Sequence, residues 1–274
     1  MTHQPVVVIT GAGSGLGAAM VRRFALEGYA VAVTDVSIAR AEAVLAELRA
    51  TGAAGLSMEL DVTRQEHWEA LCRRVVAEWG GCNVLINNAG VAVAGRCEET
   101  PLADWQWVLD IDLMGVVRGC HRFLPLLRQQ ADAGEFAHIV NVASFAGLSA
   151  MPGISAYGTA KAGVIALSEH LLTELSGSGI GVSVVCPAFV ATNLLENFRS
   201  PDPAYRSLVE RWMAQSGVSA EDVAAAVIDA LRARRFLVLT HPRTRWALRL
   251  KRWWPSRYYR QVSRMASLNG SKAA

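Results

Sequence analysis

Cysteine is scarce and scattered in this 274-residue chain: Cys72, Cys82, Cys97, Cys120 and Cys186 are odd in number and form no Cys-x-x-Cys pair. That pattern argues against a disulfide framework and against a cysteine-based zinc site, and a reducing, cytoplasmic setting is expected. The six His are dispersed, and none is taken as a metal ligand. No stretch of about 18 uncharged apolar residues occurs, so no membrane-crossing helix is expected. The N-terminus runs at once into Val6-Val-Val-Ile-Thr10 without a charged leader region or cleavage site, so no signal peptide is expected. Repeats, low-complexity runs and linkers are lacking. Acidic residues stop at Asp229, while residues 230–274 hold 12 Lys and Arg; residues 1–229 keep 15 basic and 24 acidic groups. The net charge of +3 therefore hides an acidic body and a strongly basic tail.

What is present is apolar bulk: 52% hydrophobic residues and 23 Gly, enough for one large core in a single domain over residues 1–240, with 241–274 as an extension. Apolar strand-like runs alternate with helical patterns. Strands are expected near 5–10, 29–35, 55–60, 82–88, 136–143, 180–186 and 235–240, and helices near 15–28, 38–51, 64–80, 101–129, 155–176 and 219–233. Such alternation builds a doubly wound α/β domain: a mainly parallel, seven-stranded sheet with helices on both faces, its strands nearly free of charge. Residues 193–217, from Asn193-Leu-Leu-Glu-Asn-Phe onward, read as loop with apolar side chains, a mobile lid.

The first strand enters Thr10-Gly-Ala-Gly-Ser-Gly-Leu-Gly17 and then a helix. Gly11, Gly15 and Gly17 permit a sharp turn, with the backbone of Ser14 and Leu16 close to a phosphate and the helix N-terminus behind it. No Gly-Lys-Ser/Thr follows, which excludes a Walker A loop. The second strand ends in Asp35, a carboxylate placed to accept from adenosine ribose hydroxyls and to repel a 2′-phosphate. Neither Val36 nor Ser14 offers a cation for that phosphate, so NAD is favoured over NADP. Farther on, Tyr157 and Lys161 stand four apart on one helix face. An unperturbed phenol titrates near ~10, and a neighbouring ammonium favours its ionised form. Ser144 ends an apolar run and offers a hydroxyl to a substrate oxygen.

Taken in order, Thr10-x-x-x-Gly-x-Gly, Asp61-Val62, Asn87-Asn-Ala-Gly90, Ser144, Tyr157-x-x-x-Lys161 and Pro187 through Thr192 resemble the short-chain dehydrogenases/reductases, single-domain Rossmann oxidoreductases, over roughly residues 5–240. The resemblance implies that Tyr157 is the general acid/base, that Lys161 lowers its pKa and binds the nicotinamide ribose, and that Ser144 holds the carbonyl or alkoxide oxygen. It further implies that Asp61 and Val62 lie at the adenine, that Asn88, Ala89 and Gly90 lie beside the cofactor, and that Pro187, Val190 and Thr192 lie at the nicotinamide carboxamide. A homodimer or homotetramer is implied as well. Where the family usually has Asn on the long central helix, to hold a proton-relay water, this chain has Asp112. An ionised carboxylate accepts hydrogen bonds but cannot donate them, and a charge there alters the titration of Lys161; Asp112→Asn is expected to keep or raise turnover. Ala188 replaces the usual Gly after Pro187.

Candidate substrate walls are Phe145, Met151, Ile154, Phe189 and Leu194, with Ala94 to Arg96, Leu195 and Phe198 beside them. Their apolar character favours a hydrophobic secondary alcohol or its ketone, such as a steroid, terpenoid, aryl carbinol or long-chain compound. Arg199 and Arg206 keep a phosphorylated or acyl-thioester substrate open, and an NAD-binding scaffold or sensor with little turnover is the rival from another class. Dehydratase or epimerase chemistry is a smaller alternative. In the tail, Trp246, Leu250, Trp253 and Trp254 recur at helical spacing among Arg and Lys. Packing over the cleft or a neighbouring subunit is the favoured reading, contact with an anionic membrane surface the second, and nucleic-acid stacking the least favoured.

Overall fold

The computed structural model describes residues 4–270. Seven strands form one parallel sheet: β1 Val6–Thr10, β2 Ala30–Asp35, β3 Gly55–Glu59, β4 Val84–Asn87, β5 Ala137–Val142, β6 Ile180–Val185 and β7 Leu237–Val238, in the spatial order β3-β2-β1-β4-β5-β6-β7. Five of them are buried along their whole length. Side chains alternate across a strand, and β1 shows the result: Val6 and Val8 enter one hydrophobic cluster, with Trp68 and Phe123, while Val7 and Ile9 enter the other, with Met20 and Phe24. The order reverses between β1 and β4, and the C-terminal strand ends at this reversal open the crevice in which such sheets bind ligands.

The helices between strands fall close to the expected ranges: α1 Gly15–Leu26, α2 Ile38–Ala50 and α3 Gln65–Trp79, then α7 Ser155–Glu174 and α9 Ala220–Arg232, after the intervening elements described below. Ser219 and Asp222 form a reciprocal capping box at the start of α9, Asp standing where Glu is usual.

Three elements differ from the sequence expectation. The helix expected over 101–129 is α4 Leu102–Leu109, a π-helical turn at Asp110–Met114, and α5 Gly115–Asp132. The wide turn carries Asp112 inward to zero exposure, and such insertions cluster at functional sites. The lid is not all loop: after the short turn α6 Ala146–Ser149 and the 3₁₀ turn Asn193–Leu195, residues Pro203–Ala214 form helix α8. Asp202 caps it by accepting from the Ala204 N–H at 2.8 Å, with Pro203 in the first turn. Asp202-Pro203, inside the stretch expected to be loop, starts a helix. The last strand shrinks to two residues.

The tail forms two helices, α10 Pro242–Trp253 and α11 Pro255–Gly270, while residues 271–274 lie outside the described ones. Its inner face is seated on the domain. Tyr258 is buried and its hydroxyl donates to the Ser149 carbonyl at 2.7 Å, and the Lys251 ammonium donates to the Leu148 carbonyl at 2.6 Å. Trp246, Trp253 and Trp254 remain exposed on the outside. Among the described residues no helix is long and apolar enough to cross a membrane.

Candidate functional site

The glycine turn between β1 and α1 is fixed from within. The Thr10 hydroxyl accepts from the N–H groups of Asn88 and Ala89 at 2.9 and 3.0 Å, and the Asn88 amide donates back to the carbonyls of Thr10 and Gly11. Below it, buried Asn87 donates to Asn141 (2.9 Å), which donates to Ser168 (3.0 Å). These bonds tie the ends of β1, β4 and β5 to α7, so the loops at the crevice rest on a rigid floor. Gly11 has a φ of +61°, and a Cβ there would lie 2.8 Å from the Ala89 Cα; one on Gly17 would lie 2.1 Å from the Gly11 carbonyl oxygen. The turn tolerates no side chain at these two positions and leaves backbone facing the cleft at the helix N-terminus, which fits a pyrophosphate. Asp35 accepts from the N–H groups of Gly13 and Ser37, both at 3.0 Å, so its carboxylate is held at the cleft edge. A dinucleotide matches this set: a phosphate cradle with no Cβ, then an oriented acid one strand away.

The residues singled out from sequence for catalysis and for the cofactor, together with Phe145, Met151, Ile154, Phe189 and Leu194, line one cleft of about 1590 Å³. Tyr157 is half-buried on α7, one turn before Lys161, whose ammonium lies 5.9 Å from the phenol ring centre. Ser144 follows β5; its hydroxyl accepts from the Ala146 N–H at 3.1 Å and donates to the Pro187 carbonyl at 3.4 Å.

Lys161 is buried, donating to the Val142 carbonyl at 3.1 Å and pairing with Asp112 at 3.2 Å. The other Asp112 oxygen accepts from the Val91 N–H at 2.8 Å. Burial raises the Asp112 carboxyl above its ordinary range, against the pull of Lys161 and the Val91 N–H. Burial pulls Lys161 down, but Asp112, Tyr157 and their hydrogen bonding outweigh it and leave the ammonium raised, hence charged at neutral pH. Tyr157 corrects the expectation of a lowered phenol. Burial raises it; Lys161 opposes, Asp112 adds to the rise, and the net direction is up. Cys186 is pushed up by burial to about 12, so its thiol stays neutral.

The substrate end is apolar. Arg96, Phe198 and Arg199 also line the cleft, whereas Ala94, Gly95, Leu195 and Arg206 do not. The Arg199 guanidinium stacks 3.7 Å over Trp107 and pairs with Asp104 at 2.9 Å, and Arg206 pairs with Glu210 along its own helix. The lid cations considered for an anionic substrate are thus engaged in holding the lid. Trp107, Tyr205, Trp212 and Met213 are cleft residues the sequence reading missed. Arg40 was missed too: it lies five residues beyond the strand-end acid, in the first turn of α2, and clasps Glu196 of the lid at 2.6 Å.

A profile of the short chain dehydrogenase family matches residues 5–203. Probable oxidoreductase EphD of Mycobacterium tuberculosis is 34% identical over 84% of this chain; the match spans only 40% of that longer protein. 3beta-Hydroxysteroid dehydrogenase 1 of Eggerthella lenta is 36% identical over 80% of this chain and 84% of its own length. Among solved structures, a short chain dehydrogenase/reductase from Burkholderia phymatum in complex with NAD superposes with a TM-score of 0.86 at 33% identity, covering 91% of this chain and 93% of that one. The strand order, the glycine turn and the sequence match agree, and the chain belongs to the short-chain dehydrogenase/reductase family of oxidoreductases.

Proposed function

We propose that the chain is an NAD-dependent oxidoreductase that interconverts a hydrophobic secondary alcohol and its ketone. The observation that carries this reading is the convergence of Ser144, Tyr157 and Lys161 at one wall of a cleft whose other end is the glycine cradle and Asp35. The nicotinamide group, when bound, supplies the acceptor or donor of hydride. The chain's own residues handle the oxygen and the proton. The Ser144 hydroxyl, fixed by the Ala146 N–H, donates to the substrate oxygen. The Tyr157 phenol exchanges a proton with that oxygen: it donates when a ketone is reduced and, as phenolate, accepts when an alcohol is oxidised. Lys161 stays charged because of Asp112 and moderates the cost of the phenolate. Apolar walls around Phe189, Met151 and Ile154 exclude water and accept a hydrophobic body. The name of the Eggerthella lenta relative, a hydroxysteroid dehydrogenase, supports the same class.

NAD is the favoured cofactor because Asp35 occupies the ribose end and Arg40, which like Asp35 lies beside Gly13, is paired with Glu196. The test is turnover of a hydrophobic ketone with each reduced cofactor. NADH is expected to exceed NADPH in kcat/KM by about tenfold or more, a difference of ~1.4 kcal/mol. Equal use of the two, or preference for NADPH, overturns the assignment.

The Asp112–Lys161 pair yields a second expectation. Tyr157 is raised by burial and then by Asp112, so alcohol oxidation, which needs the phenolate, climbs only on the alkaline side. Asp112→Asn keeps a carbonyl for the Val91 N–H and removes a negative charge beside both Tyr157 and Lys161. Both pKa values then fall, and the alkaline limb of kcat/KM for oxidation moves to lower pH with turnover kept or raised. An unshifted limb, or a large loss of turnover, contradicts the role given to Asp112.

A further inference from the structure

A second cavity, of about 730 Å³, lies between the tail helices α10 and α11 and the wall of the main cleft. Five residues line both spaces: Phe145, Met151, Ala188, Phe189 and Trp212. Two of them follow directly on site residues, Phe145 on Ser144 and Ala188 on Pro187, so the shared wall stands beside the reacting oxygen. We propose that this chamber is a second substrate subsite, which takes the alkyl chain of a secondary alcohol or ketone whose oxygen sits at Ser144 and Tyr157. The inference rests on the activity proposed above and narrows its substrate to compounds with a long apolar chain.

The chamber is apolar where it is deep. Leu250 and Val262 face it from the tail, opposite Phe189 and Trp212. Most of its polar groups are already engaged or lie at the rim; the exception is the buried Ser149 hydroxyl, which has no hydrogen-bond partner. The Tyr258 hydroxyl is spent on the Ser149 carbonyl. The His241 Nδ1 accepts from the Ala188 N–H at 3.3 Å, which leaves the Nε2–H to donate to the Phe189 carbonyl at 3.1 Å. Arg243, Trp246 and Gln261 are exposed at its edge. Beyond that single hydroxyl a polar ligand would find little to pair with, and a water needs two or more polar partners to be held in such a space. The volume falls in the range of ligand pockets.

The shared wall selects shape. Phe189 and Trp212 pack ring against ring at 4.9 Å, and His241 clamps the backbone of Phe189, so this part of the wall is stiff. Met151 is its flexible member and can turn aside for a methylene chain. A fused ring system would have to part the aromatic pair. The hairpin of α10 and α11, held by Tyr258 and Lys251, therefore supplies the far half of the substrate pocket rather than merely covering the domain.

The test is a series of methyl n-alkyl ketones of increasing length, reduced with NADH by the full chain. kcat/KM is expected to climb by about fourfold for each methylene that enters the chamber, and then to level off. Ala247→Phe, which fills the chamber from α10, is expected to lower kcat/KM for the longest ketones by about tenfold or more and to leave the shortest unchanged. Leu250→Ala, which enlarges it, is expected to move the plateau to longer chains. A flat series in the wild type, or equal losses at every length in Ala247→Phe with no shift in Leu250→Ala, overturns the subsite. Binding of the longest ketone without cofactor, read by tryptophan fluorescence, separates the two claims. Binding that depends on chain length and is lost in Ala247→Phe, with no turnover by the wild type, supports the chamber and sinks the activity.

Discussion

Tyr157→Phe is expected to lower kcat/KM for ketone reduction by about a thousandfold or more, at the upper part of the range for loss of a positioned proton donor. The size follows from the surroundings of the phenol. The ionisable neighbours of Tyr157 are poor substitutes: Lys161 is turned to Asp112 and the Val142 carbonyl, and Cys186 keeps a neutral thiol. Water is a poor replacement, since the walls there are apolar. A thousandfold corresponds to ~4 kcal/mol of barrier. The ring itself remains, so packing of Val91, Val93 and Ala160 against it is retained and NADH affinity should not change. A fall in NADH affinity that accounts for the lost turnover would reassign Tyr157 to cofactor binding.

Lys161→Met should damage the protein in two separable ways. Methionine matches the length of the lysine stem but leaves the Asp112 carboxylate, at zero exposure, with the Val91 N–H as its remaining support. Breaking a buried ion pair from one side costs about 3–5 kcal/mol, because the remaining charge is stranded. Asp112 is already raised by burial, and in the variant nothing opposes that rise except one hydrogen bond. A raised carboxyl stabilises the fold below its unfolded value and loses that contribution as pH rises through the folded one. The stability deficit of Lys161→Met should therefore be largest at neutral and alkaline pH and shrink on acidification, as followed by denaturant unfolding. Adding Asp112→Leu removes the stranded charge and should recover most of the stability, while turnover stays low because the phenolate has lost its cation. A deficit that does not vary with pH, or recovery of turnover along with stability, contradicts the ion-pair account.

The degree to which the site could be read beforehand follows the distance over which each feature is encoded. The glycine turn, Asp35 and the Tyr157–Lys161 pair are local: each lies within one strand end or one helix turn, and the structure brings them to one cleft. The pairing of Asp112 with Lys161 joins residues 49 positions apart through a π-helical turn, and periodicity carries no sign of either. The net rise of Tyr157 was missed because the sequence shows the neighbouring cation but not the burial that outweighs it. In the lid, Asp202-Pro203 carried a helix-start signal that Ser200-Pro201 just before it obscured. Arg40 escaped notice because its partner Glu196 lies 156 residues away. For the tail, that it encloses a cavity depends on where Tyr258 and Lys251 dock on α6, which no local pattern specifies.

The most direct test of the account as a whole is the appearance of NADH absorbance when the wild-type chain meets NAD and a panel of hydrophobic secondary alcohols, measured beside Tyr157→Phe at alkaline pH. NADH should accumulate with at least one class of alcohol in the wild type and fall to the background of the enzyme-free control in the variant. A wild-type chain that binds NADH but oxidises no alcohol in a broad panel, or a variant that matches it, would show that the cleft holds the nucleotide for a purpose other than this chemistry.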